Sequence, residues 1–219
     1  MQFTKSLLAT VALVASFSAS AGAQVTGSKV AGPIGPFLSL GGPGACTAGS
    51  PCSLGGIGSI VGGTIFNADQ PFADIPAGSV YESLFLSSGP SSTSPSRITF
   101  GSGLFNIGFL WGSPDSYNRL QIVAEGPAET IQTFTIADLL IPGGGDQNFS
   151  QYVRFDAQPG YVITELIFDN SPSTDAFEVA NFSTFVEPSV VPEPGSFALV
   201  AAGLLGLLGV AHRQRARRA

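Results

Sequence analysis

Residues 151–170 read QYVRFDAQPGYVITELIFDN and contain two short runs rich in aromatic and branched side chains, separated by turn residues. In the first run, Val153 and Phe155 alternate with Tyr152 and Arg154. Such alternation is typical of a β-strand with one buried face, because successive side chains of a strand point to opposite faces. The stretch therefore predicts β-strands rather than helices.

Similar runs recur along the chain, separated by turn residues at intervals of about ten. In residues 131–136, Phe134 and Ile136 share one face. The predicted strands are 59–66, 80–87, 96–101, 104–111, 117–124, 131–136, 149–156, 161–168 and 175–185. Short strands at this spacing are typical of β-sandwiches. We therefore predict an all-β fold with a single jelly-roll-like β-sandwich domain over residues 58–187.

Residues 24–57 are rich in glycine, proline and serine, which interrupt every apolar cluster. We predict an irregular segment here that covers one edge of the domain. It contains the only two cysteines, Cys46 and Cys52, with five residues between them. A disulfide is the default for an exported chain, and unpaired reactive thiols are the alternative. A metal site lacks further ligands, because the only histidine is His212.

The charge distribution excludes several classes of protein. Charged residues make up 11% of the chain, against 28 glycines and 16 prolines. Between Gln24 and Pro194 there are fifteen acidic and only four basic residues, a net charge of −11. This disfavours nucleic acid and anionic membrane surfaces as partners, and favours solubility, cations or neutral polymers.

The N-terminal segment 1–23 has the order of a secretory signal peptide. Lys5 precedes an apolar run over residues 7–17, and small residues lead to Ala23. The run of about 11 residues is too short to span a membrane as a helix. We predict cleavage between Ala23 and Gln24 after export through the Sec translocon.

The C-terminal part divides into three segments. Residues 188–195 form a proline-containing linker that we expect to be extended and that includes Pro192, Glu193 and Pro194. An uncharged apolar stretch predicts a transmembrane helix over residues 196–211. The basic tail 212–219 carries Arg213, Arg215, Arg217 and Arg218. Positive charge stays in the cytoplasm, so this order places the domain outside.

The order of Pro-Glu-Pro, apolar helix and arginine cluster resembles the PEP-CTERM sorting signal of Gram-negative bacteria. The resemblance implies recognition by an exosortase, a membrane-embedded cysteine-type transpeptidase. It further implies removal of the helix and tail from an inner-membrane-anchored precursor, and delivery of the domain to the cell surface or extracellular matrix. The alternative is a plain C-terminal membrane anchor behind a stiff linker.

A second resemblance rests on internal strings of the domain. FLWGSPDSYN at residues 109–118, GDQ at 145–147 and AFE at 176–178 are similar to a family of exosortase-dependent surface proteins first catalogued in cyanobacteria. Members combine such a β-domain with the same sorting tail. No molecular activity is established for them.

The string WGSPDSYN at residues 111–118 has two interpretations. Trp111 and Tyr117 could stack on a sugar while Asp115 and Asn118 supply hydrogen bonds. Alternatively, the string is a hairpin loop with a type I turn at Pro114-Asp115, and both aromatic side chains anchor the core. We favour the hairpin, because a sugar site normally needs more convergent polar groups.

The sequence offers little for catalysis. The predicted domain contains no histidine or lysine to act as base for a serine nucleophile. Carboxylate pairs could serve glycoside hydrolysis, with the candidates Glu82, Asp115, Glu165, Asp169 and Glu178. Candidate calcium ligands in turn-like contexts are Asp69, Asp74, Asp146, Asp169 and Asp175, but they do not form an EF-hand pattern. We predict no catalytic, cofactor-binding or metal-binding residues.

These observations predict an exported, non-enzymatic surface or matrix protein, with extracellular polysaccharide as a candidate partner. The alternative is a lectin-like module that binds carbohydrate or calcium.

Overall fold

The computed structural model describes residues 23–90, 92–170 and 174–185, and in these ranges it has thirteen β-strands and no helix. The strands are β1 Val25–Lys29, β2 Gly44–Ala45, β3 Cys52–Leu54, β4 Gly58–Val61, β5 Thr64–Phe66, β6 Phe85–Ser88, β7 Ser96–Leu104, β8 Asn106–Gly112, β9 Asn118–Glu125, β10 Thr130–Phe134, β11 Ser150–Ala157, β12 Val162–Asn170 and β13 Phe177–Ser183. Within the described ranges, none of the chain forms a helix long and apolar enough to cross a membrane.

Residues 1–22 of the predicted signal peptide lie outside the described ranges. The predicted linker 188–195, transmembrane helix 196–211 and basic tail 212–219 also lie outside them.

The strands form two antiparallel sheets. The seven-stranded sheet has the order β1-β11-β8-β13-β6-β5-β2, and the six-stranded sheet has the order β10-β9-β12-β7-β4-β3. The predicted all-β class is confirmed.

The core lies between the two sheets and is rich in phenylalanine. Phe109 of β8 packs against Phe168 of β12 with ring centroids 5.5 Å apart. Phe168 also meets Phe177 of β13 at 5.2 Å, and Phe134 of β10 meets Phe155 of β11 at 5.0 Å. Each pair joins one sheet to the other. Because aromatic side chains bury large apolar areas, these contacts supply much of the energy that holds the sheets together.

The alternation in residues 151–170 has the predicted consequence. Val153 and Phe155 are fully buried, whereas Tyr152 and Arg154 keep partial exposure. All nine predicted strand positions overlap observed strands.

The predicted strand 59–66 is wrong as a single element. It is split into β4, which belongs to the six-stranded sheet, and β5, which belongs to the seven-stranded sheet. The break occurs at Gly62 and Gly63, with φ of 82° and 77°. A Cβ at Gly63 would lie 2.2 Å from Oγ of Ser96. Only glycine permits both this conformation and this close approach, so the chain can cross between the sheets here.

Most of the segment 24–57, predicted to be irregular, lies outside strands, but it also contains the short strands β1, β2 and β3. β1 and β2 form the two edges of the seven-stranded sheet, and β3 forms one edge of the six-stranded sheet. The strands have two to five residues, too short for an alternating pattern to stand out. They form because neighbouring strands offer free backbone groups at the sheet edges.

The predicted disulfide between Cys46 and Cys52 is confirmed, with their Cα atoms 5.1 Å apart. Cys46 follows β2 directly and Cys52 begins β3, so the bridge joins the edges of the two sheets.

Candidate functional site

The string WGSPDSYN connects the two sheets and is not a hairpin loop. Trp111 lies near the end of β8 in the seven-stranded sheet, while Asn118 begins β9 in the six-stranded sheet. The backbone N–H of Asn118 donates to the carbonyl of Asp115 at 3.1 Å, so the turn is centred on Ser116-Tyr117. The predicted turn at Pro114-Asp115 is therefore displaced by two residues, because the chain must change sheets before it can reverse.

Two of the four candidate sugar contacts are inaccessible. Trp111 has no exposed surface and stacks on Phe177, with ring centroids 4.5 Å apart. Asn118 is also fully buried. Asp115 and Tyr117 keep partial exposure. A stacking platform needs an exposed ring face, so these four residues do not form one together.

Tyr117 ties this loop to the segment that precedes β13. Its hydroxyl donates to Oδ2 of Asp115 at 2.7 Å and accepts the backbone N–H of Asp175 at 3.2 Å. Burial and the hydrogen bond to Asp115 raise the pKa of Tyr117. Burial also raises the pKa of Asp115, partly opposed by the hydrogen bond from Tyr117. The hydroxyl thus acts as a structural bridge.

Glu178 of β13 is the most strongly perturbed carboxyl group of the described residues. It is 2% exposed, and its Oε2 has no hydrogen-bond partner. Burial is the main cause that raises its pKa from 4.5 to about 9, and the charges of Asp115 and Asp74 add to the rise. Hydrogen bonds from the backbone N–H groups of Glu178 and Asp74 oppose it. Glu178 is therefore protonated at neutral pH.

A loop over residues 67–84, here the cover loop, buries Glu178. It packs on the outer face of the seven-stranded sheet, where Ala73 joins Ala176 and Ala180 in a small apolar cluster. A Cβ at Gly112 would lie 2.8 Å from Cγ of Pro76 and 3.1 Å from Cβ of Glu178. The cover loop can approach the sheet this closely because position 112 has no side chain.

The strings of the second resemblance meet around Asp115. The backbone N–H groups of Gly144 and Gly145 donate to the carbonyl of Pro114 at 3.2 and 3.3 Å. Gly145 has a φ of 65°, and a Cβ there would lie 2.8 Å from Oδ1 of Asp115. Asp115 and Glu178 lie close enough for the charge of the one to raise the pKa of the other.

We call Asp74, Asp115, Tyr117, Asp175 and Glu178 the acidic cluster. Among the described residues, no three histidine, cysteine or acidic side chains are placed to hold a metal ion. Within the cluster, the hydroxyl of Tyr117 hydrogen-bonds to Asp115 and Asp175 and so joins two loops.

The outer face of the six-stranded sheet carries a second candidate site, an open groove of about 370 Å³. The pairing of β12 with β7 jumps from Ile163↔Leu104 to Glu165↔Thr99, so residues 100–103 have no register partners in β12. Such irregularities often occur beside binding sites because they change where side chains point. The polar side chains lining the groove are Thr99, Glu125, Glu129, Thr164 and Glu165.

Glu165 of the groove also forms an ion pair with Arg97, with 3.2 Å between Oε1 and the guanidinium nitrogen.

The five carboxylates considered for glycoside hydrolysis lie in different settings. Glu82 accepts from Ser39, Asp169 accepts from Ser94, and Glu165 pairs with Arg97. Asp115 and Glu178 belong to the acidic cluster.

Glu125 and Glu129 carry no sequence signal that marks them as groove residues, because the register change beside the groove has no local signature. The sequence does contain a weak signal for the burial of Glu178. Ala176, directly before β13, and Ala180 in it are each two positions from Glu178, and such small residues suggest a face covered closely by another element.

Residues 190–214 match the family model of the PEP-CTERM protein-sorting motif. No curated protein and no solved structure matches the chain. The predicted sorting signal is confirmed at this position. The motif implies export, a membrane-anchored precursor, processing by an exosortase and delivery to the cell surface.

Proposed function

We propose that this exosortase-sorted chain delivers a non-enzymatic β-domain to the cell surface or extracellular matrix, where it associates with exopolysaccharide. The observation that carries the proposal is the position of the sorting motif. It begins at residue 190, and the described part of the chain ends shortly before it, at Phe185. A compact domain directly before a sorting signal is what a surface-delivered cargo requires.

The acidic side chains support a non-enzymatic role. Glu178 lies beneath the cover loop, Asp115 accepts from Tyr117, and Glu165 pairs with Arg97. Each of these carboxylates is thus buried or has a partner within the protein. The net charge of −11 between Gln24 and Pro194 favours solubility in transit and limits adhesion to anionic surfaces.

The proposed route begins with the Sec translocon and cleavage between Ala23 and Gln24. A transmembrane helix over residues 196–211 and the basic tail would then hold the precursor in the inner membrane. Processing at or near Pro192, Glu193 and Pro194 would release the domain.

We further assign the domain to the jelly-roll type of β-sandwich. The order β6-β13-β8-β11 in one sheet and β7-β12-β9-β10 in the other supports this assignment. Numbered one to eight along the chain, these strands have the orders 1-8-3-6 and 2-7-4-5, which two interleaved Greek keys generate. β1 to β5 extend the edges of this arrangement.

A lectin-like module is the second candidate, and the groove on the six-stranded sheet favours it. The groove presents two threonine hydroxyls and three carboxylates, which can hydrogen-bond to sugar hydroxyls. This candidate would place carbohydrate binding at Glu125 and Glu165 instead of at Trp111.

Intact-mass analysis and fractionation of the protein from its native host test the leading proposal, with a tag inserted near Ser92. We expect a surface-located species truncated near Glu193. A matched variant with Pro192→Ala, Glu193→Ala and Pro194→Ala should stay full length in the inner membrane. If the wild type also stays there, the tail is only an anchor and the surface role is wrong.

Glycan arrays and calcium titration of residues 24–190 separate the two candidates. A surface component that associates with exopolysaccharide only through weak contacts spread along the polymer gives no response to the arrayed oligosaccharides or to calcium at about 1 mM. A lectin binds at least one glycan, loses that binding in Glu125→Gln/Glu165→Gln, and keeps it in the control Glu82→Gln, which lies outside the groove.

A further inference from the structure

Phe185, the last described residue before the sorting motif, is held firmly in place by Asn106 and Arg154. The backbone N–H of Phe185 donates to Oδ1 of Asn106 at 3.0 Å, and Nδ2 of Asn106 donates back to the carbonyl of Phe185 at 3.1 Å. Arg154 covers the Phe185 ring, with its guanidinium carbon 4.9 Å from the ring centroid. Asn106 is buried, so this clasp belongs to the folded domain.

The first strand begins at the same end of the molecule. Val25 of β1 pairs with Ala157 of β11, whose backbone N–H donates to the carbonyl of Phe105 at 2.8 Å. β11 and β8 separate β1 from β13. At a strand spacing of about 4.8 Å, Val25 and Phe185 are roughly 15 Å apart. We call this region, with Val25, Phe105, Ala157 and Phe185, the exit end.

The exit end carries an apolar groove of about 260 Å³. Its lining side chains are Leu38, Ile57, Leu104, Phe105, Thr184 and Phe185. Phe105 is the single residue between β7 and β8, where the chain crosses from one sheet to the other, and it is 57% exposed. A large exposed aromatic side chain beside an apolar groove is typical of an interaction surface.

The sorting motif lies within short reach of this groove. Seven residue steps separate Phe185 from Pro192, and they span at most about 25 Å when fully extended. An exosortase is embedded in the membrane, so it must act between the bilayer and the domain. A typical protein interface buries about 800 Å² on each partner. An enzyme with an interface of that size that holds Pro192 within this distance can therefore reach the exit end.

We propose that the exit end docks on the exosortase, with Phe105 and the apolar groove as the contact surface for an apolar patch of the enzyme. This inference rests on the proposed sorting function. Phe105 would act as an anchor that increases recognition beyond the sorting motif, because aromatic side chains often carry much of an interface's binding energy. The negative charge of the domain favours this occupant over an anionic lipid surface.

Pulse-chase processing of the full chain in its native host tests the proposal. We expect Phe105→Ser to be processed about fivefold or more slowly than the wild type, as for the loss of an interface anchor. The control Ile131→Ser removes another exposed apolar side chain, on the edge strand β10, and should be processed at the wild-type rate. Equal rates for wild type and Phe105→Ser would overturn the docking inference alone. An unprocessed wild type would instead contradict the sorting function.

A photo-crosslinking amino acid at position 105 of the full chain identifies the occupant. We expect an adduct with the exosortase that disappears in the variant lacking Pro192, Glu193 and Pro194. Adducts confined to lipid, to residues 186–191 of the same chain or to a second copy of the domain would overturn the proposal. The chain that carries the photo-crosslinking amino acid must still be processed in a pulse-chase experiment without illumination. This control shows that the substitution preserves folding.

Discussion

Glutamate side chains have opposite environments on the outer faces of the two sheets. On the seven-stranded sheet, the cover loop buries Glu178 and raises its pKa to about 9. On the six-stranded sheet, Glu165 lies in an open groove and pairs with Arg97. One face is structural and the other is available for contact.

The difference arises from what lies over each sheet. Gly112 and the small side chains of Ala176 and Ala180 let the cover loop approach the seven-stranded sheet closely. On the other sheet, the register shift between β7 and β12 lies beside the open groove. The role of a carboxylate in this protein therefore cannot be assigned before its burial is known.

The largest change in stability is expected when a side chain is added beneath the cover loop. Gly112→Val places a side chain where even a Cβ would lie 2.8 Å from Pro76. We expect a loss of about 2–3 kcal/mol in the free energy of unfolding, because overpacking strains a tightly packed site. Urea unfolding of residues 24–190 measures the loss.

The matched control is Gly101→Ala on the open face, where a Cβ would meet nothing within 4 Å. It should change the free energy of unfolding by less than about 0.5 kcal/mol. Equal losses in both variants would contradict the assignment of a covered and an open face.

The pH dependence of stability tests the buried carboxyl group. The pKa of Glu178 rises from 4.5 to about 9 on folding, so the folded state binds one more proton between these values. Its contribution to stability is complete below about pH 4.5 and is lost as the pH rises to about 9. Glu178→Gln removes the ionisation and should stabilise the domain by on the order of 2 kcal/mol at pH 8.

Thermal unfolding of the wild type and Glu178→Gln from pH 4 to 9 measures this effect. The two curves should meet at acidic pH and separate as the pH rises. Parallel curves over the whole range would show that Glu178 does not titrate differently in the folded state.

Removal of the Tyr117 hydroxyl should have a smaller effect. Tyr117→Phe keeps the ring but breaks the hydrogen bonds with Asp115 and Asp175. We expect a loss of about 1 kcal/mol, the usual size for such bonds. Faster amide exchange at Asp175 would confirm that the hydroxyl ties the loop to β13, while unchanged exchange would contradict it.

The smallest effect is expected on the open face. Glu165→Gln breaks the ion pair with Arg97, which is half exposed. Surface ion pairs contribute about 0–1 kcal/mol, so stability should change by less than about 0.5 kcal/mol at low salt and less still at 1 M salt. A loss above about 2 kcal/mol in urea unfolding would mean that this face is also structural.

Much of the fold could be predicted from local patterns. Val153 and Phe155 are buried because an alternating strand must direct one face inward, and residues elsewhere do not alter that rule. β1 to β3 could not be predicted in this way, since the sheet edges that stabilise them come from distant parts of the chain.

The site was less predictable. The favoured interpretation of WGSPDSYN correctly placed Trp111 in the core, where it stacks on Phe177, 66 positions further along the chain, but it missed the crossing between the two sheets. Burial of an aromatic side chain depends on such distant partners. The groove beside Glu165 likewise requires the register change between β7 and β12, which neither strand reveals alone.

The sequence by itself determined the all-β class, the pairing of the two cysteines and the sorting motif at residues 190–214, because each depends on residues close together in the chain. Only the tertiary structure decided which carboxylates are buried, which sheet each strand joins and where Phe105 lies relative to Phe185. These properties depend on contacts between residues far apart in sequence, and burial, which sets both pKa and accessibility, exists only once those contacts form.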